Sequence, residues 1–356
     1  MMFEPPPYHL TSDMTDVGHV PLINPDLSGN AQRYILEALA EKQLTYRGRF
    51  NAEFEHHLSR YLGRPALACS SGTGALHLSL LAAGVRADDE VIVPVLTFGT
   101  AASVVRAVGA TPVLADIDPE TFGLAPRAVE KAITRRTKAI LKTHLYGLEC
   151  CLPDYGITVI EDSCEAFGIV PPTGDYTCYS FYVNKMITTG EGGCVVTDDV
   201  DLVRDFRDGG FGKDYAFRIP GLNYRMTALQ AALGVAQMEK VDELVKIRLD
   251  IAARYAKRLP GRGKWLFNVE TDDPKGLQEY LASKRIESRR VFKPLHLHPA
   301  FGAKGSFDGA EKVWSRHVSL PTNVTLEQQD YIVDMLHGHH DLQRIADCGQ
   351  QLAPSL

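Results

Sequence analysis

Three short segments carry residues whose types and spacing could do chemistry together. In CSSGTGALHL (69–78), small polar residues and two glycines precede an apolar helical run. Free backbone N–H groups and hydroxyls at a helix start make a phosphate site, though the same pattern also serves plain capping. VIEDSCEAFG (159–168) puts Asp162 at the carboxyl end of an apolar run. Open α/β sheets bind ligands outside such ends, and the plainer reading is a helix N-cap. In CYSFYVNKMITTGEGGCVV (178–196), Lys185 follows an aromatic strand and precedes a Gly-rich turn. A lone lysine usually snorkels to solvent. Held among apolar side chains it loses proton affinity, and only a neutral amine forms a Schiff base.

Lys185 lies 23 positions after Asp162, enough for a hairpin or short crossover to return to the same sheet edge. A phosphate cradle, a carboxylate at a strand end and a nearby lysine are together what pyridoxal phosphate (PLP) requires. That cofactor needs an anion site, an acid that keeps its ring nitrogen protonated, and an amine.

Such residues need a sheet to position them. From Ala66 onward, β-branched runs alternate with helical segments: EVIVPV (90–95), ATPVLADI (110–117), KAILKTHLY (138–146), ITVIED (157–162), TCYSFYV (177–183) and GCVVTD (193–198). Most are apolar throughout, as strands covered on both faces should be. Helical segments follow Ser71, Gly99 and Ala125, so the pattern predicts an α/β domain with a mostly parallel sheet. Only nine residues, LECCLPDYG, separate Gly147 from Ile157, which predicts a crossover without a full helix. Two amphipathic stretches, 30–42 and 51–62, precede the sheet. One long helix is expected from Thr227 to about Leu259, opened by a Thr227/Gln230 capping box. FNVET, a helix around Gly276–Lys284, RRVFKPLH and a last helix opened by Thr325 and Gln328 read as a smaller α+β unit. The expected organisation is a flexible tail (1–20), a large α/β domain (21–240), a small C-terminal α+β domain (241–340) and a polar tail (341–356).

The 356 residues carry 38 Lys+Arg against 44 Asp+Glu, a net charge of −6, which argues against a nucleic-acid-binding face. No apolar run reaches the ~18 residues of a membrane span, and the Pro-rich, acidic start lacks a signal core. Seven cysteines without zinc-ligand spacing read as reduced thiols, so a cytoplasmic protein is expected. His296 and His298 in PLHLHP lie two residues apart, but no third ligand is suggested nearby, so no metal is expected.

The order of these motifs resembles the DegT/DnrJ-type sugar aminotransferases. The matching segments are PDLSGN, SSGTGALHLSLLAAG, DEVIVPVLTFGTAASVVRAVGATPVLADIDPET, RTKAILKTHLYG, VIEDSCEAFG, YSFYVNKMITTGEGG, GLNYRMTALQAALG and FKPLHLHPAF. The resemblance implies the type I fold of PLP enzymes: a large domain with a mostly parallel seven-stranded sheet between helices, plus the small domain. It assigns Lys185 to the cofactor's Schiff base and to proton transfer, and Asp162 to the pyridinium nitrogen. It assigns Phe98 to stacking on the ring, and Gly72, Thr73 and Ser180 to the phosphate. Asn223 would reach the phosphate of the partner subunit's cofactor, which implies a homodimer with shared active sites. Glu165 stands where most members have Gln, beside the phenolic oxygen. An acid there resembles the perosamine-forming branch and needs a shared proton. The segments 148–156 and 169–175 are shorter than the family usually shows.

The implied reaction takes an amino group from L-glutamate, leaving 2-oxoglutarate, and gives it to a nucleotide-linked 4-keto-6-deoxy sugar. The first expectation is GDP-4-keto-6-deoxymannose, giving GDP-perosamine. A 3-keto sugar or a UDP- or dTDP-sugar is the alternative, and a PLP-binding regulator without turnover is a second. Related dehydratases replace the lysine with histidine, so Lys185 disfavours them. Arg47, His296 and His298 are the candidate substrate contacts.

Overall fold

The computed structural model describes residues 19–211, 216–302 and 305–339. The expected polar tail at 341–356, and all of the expected N-terminal tail but His19 and Val20, lie outside them. Val20 is fully buried and bridges to Ile286.

Seven strands form the larger sheet: β1 (Ala66–Cys69), β2 (Glu90–Pro94), β3 (Thr111–Ala115), β4 (Thr137–Thr143), β5 (Thr158–Asp162), β6 (Tyr176–Ser180) and β7 (Gly193–Val196), in the order β1-β7-β6-β5-β4-β2-β3. Only β7 runs against its neighbours. Helices α1 (Ala31–Ala40), α2 (Arg49–Leu62), α3 (Gly72–Ala82), α4 (Thr100–Ala107), α5 (Pro126–Ala132) and α6 (Val200–Arg207) accompany it. β1 is a four-residue, fully buried strand that the run of strong β-branched segments does not include.

No α-helix joins β4 to β5. A three-residue 3-10 turn at Leu145–Gly147 and an extended stretch make the connection. The sheet face beside it is still covered, because buried Cys150 and the partly buried Leu152, Tyr155 and Ile157 pack with Ile92, Ile140 and Val129. Cys150 sits so close over Gly123 that a Cβ there would stand 2.5 Å from its own.

The single helix expected from Thr227 is instead two: α7 (Ala228–Met238), with the Thr227/Gln230 capping box, and α8 (Val241–Arg258). The break falls where the chain entering α1 docks. Lys240 binds Asp26 and Ser28, both at 2.6 Å, while Glu239 takes hydrogen bonds from Asn30 and Tyr34. Beyond α8, strands β8 (Gly261–Arg262), β9 (Leu266–Glu270), β10 (Arg289–Arg290) and β11 (His317–Pro321) form an antiparallel sheet in the order β10-β11-β9-β8. Helices α9 (Pro274–Ser283), α10 (Asp308–Arg316) and α11 (Leu326–His337, with the Thr325/Gln328 box) complete it. This sheet has its own core around Phe267, Val269, Leu277 and Ile332. Trp265, Leu266 and Val291 belong to the larger core, so the two sheets meet along that seam.

Candidate active site

Five parallel strands end on one side of the larger sheet, and each delivers a residue there. β1 leads to Ser71, β2 to Thr97 and Phe98, β4 ends at Thr143, β5 at Asp162 and β6 at Ser180. These residues line a cavity of about 310 Å³ that Trp265, Arg289 and Phe292 close from the smaller sheet's side. The location follows from chain direction: parallel strands bring all their carboxyl ends, and the loops after them, to one edge.

At the floor lies the start of α3. Ser71 caps it, its hydroxyl accepting the Gly74 N–H at 3.0 Å. The N–H groups of Gly72 and Thr73 have no partner inside the helix, so they and the helix dipole suit an anion. Gly72 cannot carry a side chain: a Cβ would stand 2.8 Å from Ser180 Cβ and 2.9 Å from Cys164 Sγ. Gly193 of β7 lies under the same turn, its missing Cβ 2.6 Å from the Ser71 carbonyl.

Lys185 stands in the loop between β6 and β7. The loop is closed by backbone hydrogen bonds from Phe181 to Gly192 (2.8 Å) and from Thr189 to Phe181 (2.9 Å). Buried Arg248 of α8 donates to the carbonyls of Lys185 (2.9 Å) and Asn184 (3.3 Å). Trp265 Nε1 also donates to Asn184 O at 2.8 Å. The loop is thus clamped through its backbone by Arg248 and Trp265. Lys185 Nζ lies 3.3 Å from Glu165 Oε1 and 3.9 Å from the centroid of the Trp265 ring. The amine thus stands between an aromatic face and a carboxylate, and not among apolar side chains alone.

That carboxylate is itself held. Glu165 Oε2 accepts the Tyr146 N–H at 2.9 Å. Tyr146 takes a positive φ of 55°, unusual for a bulky residue, and is kept there by its own contacts. Its carbonyl accepts from Lys264 and Trp265, its hydroxyl accepts the Phe292 N–H, and its ring stacks on Trp265 and Phe292. Burial raises the pKa of Glu165, with Lys185 and Arg289 opposing. Asp162 is buried to 6 % exposure, and its Oδ1 accepts the Cys164 N–H at 3.2 Å.

The cavity has the form of a cradle. Thr97 Oγ1, Thr143 Oγ1 and Asn184 Oδ1 are buried on its wall without hydrogen-bond partners. The Phe98 ring is 57 % exposed, an uncovered apolar face at the mouth. An anion cradle, a buried carboxylate, an amine and an uncovered aromatic face fit PLP. The structure brings Gly72, Thr73, Phe98, Asp162, Glu165, Ser180 and Lys185 to this one cavity.

Four expected residues do not line it. Arg47 and Asn223 sit on an outer cluster, where the Arg47 and Arg225 guanidinium groups lie over Tyr46 and Arg225 donates to Asn223 Oδ1 at 2.8 Å. His296 is turned into the smaller unit, tilted against Phe307 and 2.9 Å from Glu311. His298 meets the carbonyl of Lys293 at 3.2 Å. His296 and His298 thus meet different neighbours, and neither lines the cavity. Trp265, Arg289 and Phe292 are among the cavity residues that sequence reasoning misses. They stand far along the chain from Lys185 and carry no spacing signal, although RRVFKPLH contains two of them.

The sequence pattern described as the DegT/DnrJ/EryC1/StrS aminotransferase family matches residues 25–337. A GDP-perosamine synthase of Caulobacter vibrioides is 38% identical, the match covering 89% of this chain and 96% of that protein. A UDP-2-acetamido-2-deoxy-3-oxo-D-glucuronate aminotransferase of Pseudomonas aeruginosa is 35% identical over 77% of this chain and 86% of its own. Among solved structures, the Streptococcus pneumoniae sugar aminotransferase Spr1654 in its PLP form superposes with a TM-score of 0.82 at 26% identity, covering 89% of this chain and 97% of that one.

Proposed function

The chain belongs to the DegT/DnrJ/EryC1/StrS aminotransferase family, and from that premise we propose that it moves an amino group from L-glutamate to GDP-4-keto-6-deoxymannose, forming GDP-perosamine. It is a PLP-dependent sugar aminotransferase. The nucleotide, the sugar and the donor are the proposal. The observation that carries them is the likeness to a GDP-perosamine synthase along nearly the full length of both chains. The acid at 165 agrees with that branch.

When bound, PLP carries the amino group between the two substrates and takes up the electron pair released at the reacting carbon. The chain's part is to bind, orient and move protons. The start of α3, with Thr73 and Ser180, holds the phosphate. Asp162 would pair with the ring nitrogen, and Phe98 would stack on the ring. Lys185 Nζ, positioned by the Arg248 clamp, moves the proton at the carbon that gains or loses the amine. Glu165, held by the Tyr146 N–H, keeps a second proton beside it. The outer cluster of Arg47, Asn223 and Arg225 does not line this cavity, and we assign it to the cavity of a partner subunit in a homodimer.

The test is a coupled assay with PLP, L-glutamate and a panel of GDP-, UDP- and dTDP-linked 4-keto-6-deoxy sugars together with a UDP-linked 3-keto sugar, following 2-oxoglutarate and the mass of the amino sugar. Turnover with the GDP sugar is expected. Turnover only with a UDP-linked 3-keto sugar would overturn the substrate reading, and the 35% identity to the Pseudomonas aeruginosa enzyme makes that the second candidate.

A further inference from the structure

Successive residues of a strand point to opposite faces, so the ends of β4, β5 and β6 carry two rows of side chains. Lys142, Glu161 and Thr177 form a row outside the cavity, where Glu161 pairs with Lys142 at 2.7 Å and accepts the Thr177 hydroxyl at 2.6 Å. Each one residue further on, Thr143, Asp162 and Cys178 are register partners and form the other row. Thr143 and Asp162 both line the cavity. The ladder holds to this point, because the His144 N–H donates to the Asp162 carbonyl at 3.0 Å. Paired strands lie about 4.8 Å apart, so the Thr143 side chain stands directly beside that of Asp162. Thr143 is 4 % exposed, and its Oγ1 is buried without a hydrogen-bond partner. Keeping a hydroxyl dry and unpaired is unfavourable, so it marks a place where a polar partner is taken up.

We propose that Thr143 is a positioning residue for Asp162: its hydroxyl donates to the carboxylate that pairs with the cofactor's ring nitrogen. The proposal rests on that pairing and deepens it. A carboxylate accepts about four hydrogen bonds, and Asp162 Oδ1 takes one from the Cys164 N–H at 3.2 Å. The Cys164 thiol beside it is a weak donor. Cys178, the other register neighbour, is engaged elsewhere, its Sγ 3.1 Å from Ser79 Oγ. The cofactor offers the Thr143 hydroxyl nothing in exchange, since the ring edge flanking its nitrogen carries only a hydrogen and a methyl group on carbon. The carboxylate is therefore the partner, and the bond needs only a change between staggered χ1 wells. A donor on the carboxylate favours its ionised form, and an ionised Asp162 keeps the ring nitrogen protonated.

The experiment reads cofactor affinity and stability separately. PLP is titrated by fluorescence into the cofactor-free protein, and urea unfolding of that protein is followed. The set is wild type, Thr143→Val, Thr143→Ser, Asp162→Asn and the double variant of Thr143→Val with Asp162→Asn. Valine keeps the shape and removes the unpaired hydroxyl. The cofactor-free Thr143→Val protein should therefore unfold at an unchanged or higher urea concentration, while its PLP affinity falls about 10-fold. Thr143→Ser, which keeps the donor, should stay within about threefold of wild type. Asp162→Asn alone should weaken PLP binding at least about 10-fold. Beside it the valine should add less than about twofold, because both changes act through one carboxylate. An earlier urea midpoint for Thr143→Val would assign the hydroxyl to the fold and overturn the proposal. Unchanged PLP affinity in Thr143→Val, or an undiminished loss in the double variant, would overturn it as well. Failure of the underlying pairing looks different: Asp162→Asn alone would then bind PLP as wild type does, and the proposal would fall with it.

Discussion

Glu165 bridges two anchors of the cavity: one carboxylate oxygen stands 3.3 Å from Lys185 Nζ, and the other accepts the Tyr146 N–H at 2.9 Å. The acid is buried, and burial raises its pKa above the usual 4.5 despite the nearby cations. Folding therefore favours its protonated form. Its contribution to stability is complete below about pH 4.5 and declines as pH rises through the raised value. Glu165→Gln keeps a neutral group at every pH. Melting curves of the cofactor-free protein across a pH series should show the variant gaining on wild type as pH rises. A constant gap between the two would show that folding does not shift the acid's pKa.

Phe98 stands exposed at the cavity, and we assign its ring to the ligand. Its ring is 57 % exposed, so Phe98→Ala should change the stability of the cofactor-free protein by no more than about 0.5 kcal/mol. Losing a stacking partner worth about 1 kcal/mol should weaken PLP binding roughly 5- to 10-fold. Fluorescence titration with PLP reads the affinity, and an unchanged value would remove Phe98 from the cofactor.

The Arg248 clamp acts on Lys185 through the backbone. Burial lowers the pKa of its guanidinium to about 10, so it remains charged at neutral pH with only carbonyls as partners. Arg248→Met removes that charge along with both hydrogen bonds, and the changes partly offset in stability. A loosened Lys185 loop should lower kcat by about 10- to 100-fold, while the KM of each substrate stays within about twofold. Steady-state kinetics on both substrates decides it, and a change in KM alone would point to a substrate-binding role.

Behind Asp162, Glu161 is fully buried and paired with Lys142 at 2.7 Å. Burial raises its pKa, but hydrogen bonds from His144, Lys142, Thr173 and Thr177 outweigh it and hold the carboxyl well below the ordinary range. The stabilisation is thus present above the unfolded value of 4.5 and is lost as pH falls toward the depressed one. Glu161→Gln should cost about 3–5 kcal/mol at neutral pH by leaving Lys142 unpaired. The gap to wild type should narrow in acid, measured by urea unfolding at several pH values.

Subunit mixing tests the outer cluster. Lys185→Ala and Asn223→Ala homodimers should each be poor enzymes, the first by about 10²–10⁴-fold. If Asn223 serves the partner's cavity, a hybrid dimer holds one site with both residues intact, and mixing should restore activity. If Asn223 serves its own chain, every hybrid site is defective and mixing restores nothing.

Much of the molecule is written in local sequence. Apolar runs specify buried strands, Thr227 with Gln230 and Thr325 with Gln328 specify helix starts, and the nine residues after Gly147 are too few for a crossover helix. The cofactor cradle is legible too, because parallel strands carry Asp162, Ser180 and the Ser71–Thr73 turn to one edge as a consequence of chain direction. Tertiary structure decided the rest. The break at Glu239–Lys240 follows from the docking of Asp26, Ser28 and Asn30, a contact more than 200 residues away in sequence. The same holds for Trp265, which meets Lys185, and for Arg289, which meets Trp265, only because the smaller sheet packs against the larger one. Periodicity reports which face of an element is buried. It does not report which distant side chain arrives across a seam, and that packing sets the partners of Lys185 and the direction in which His296 turns.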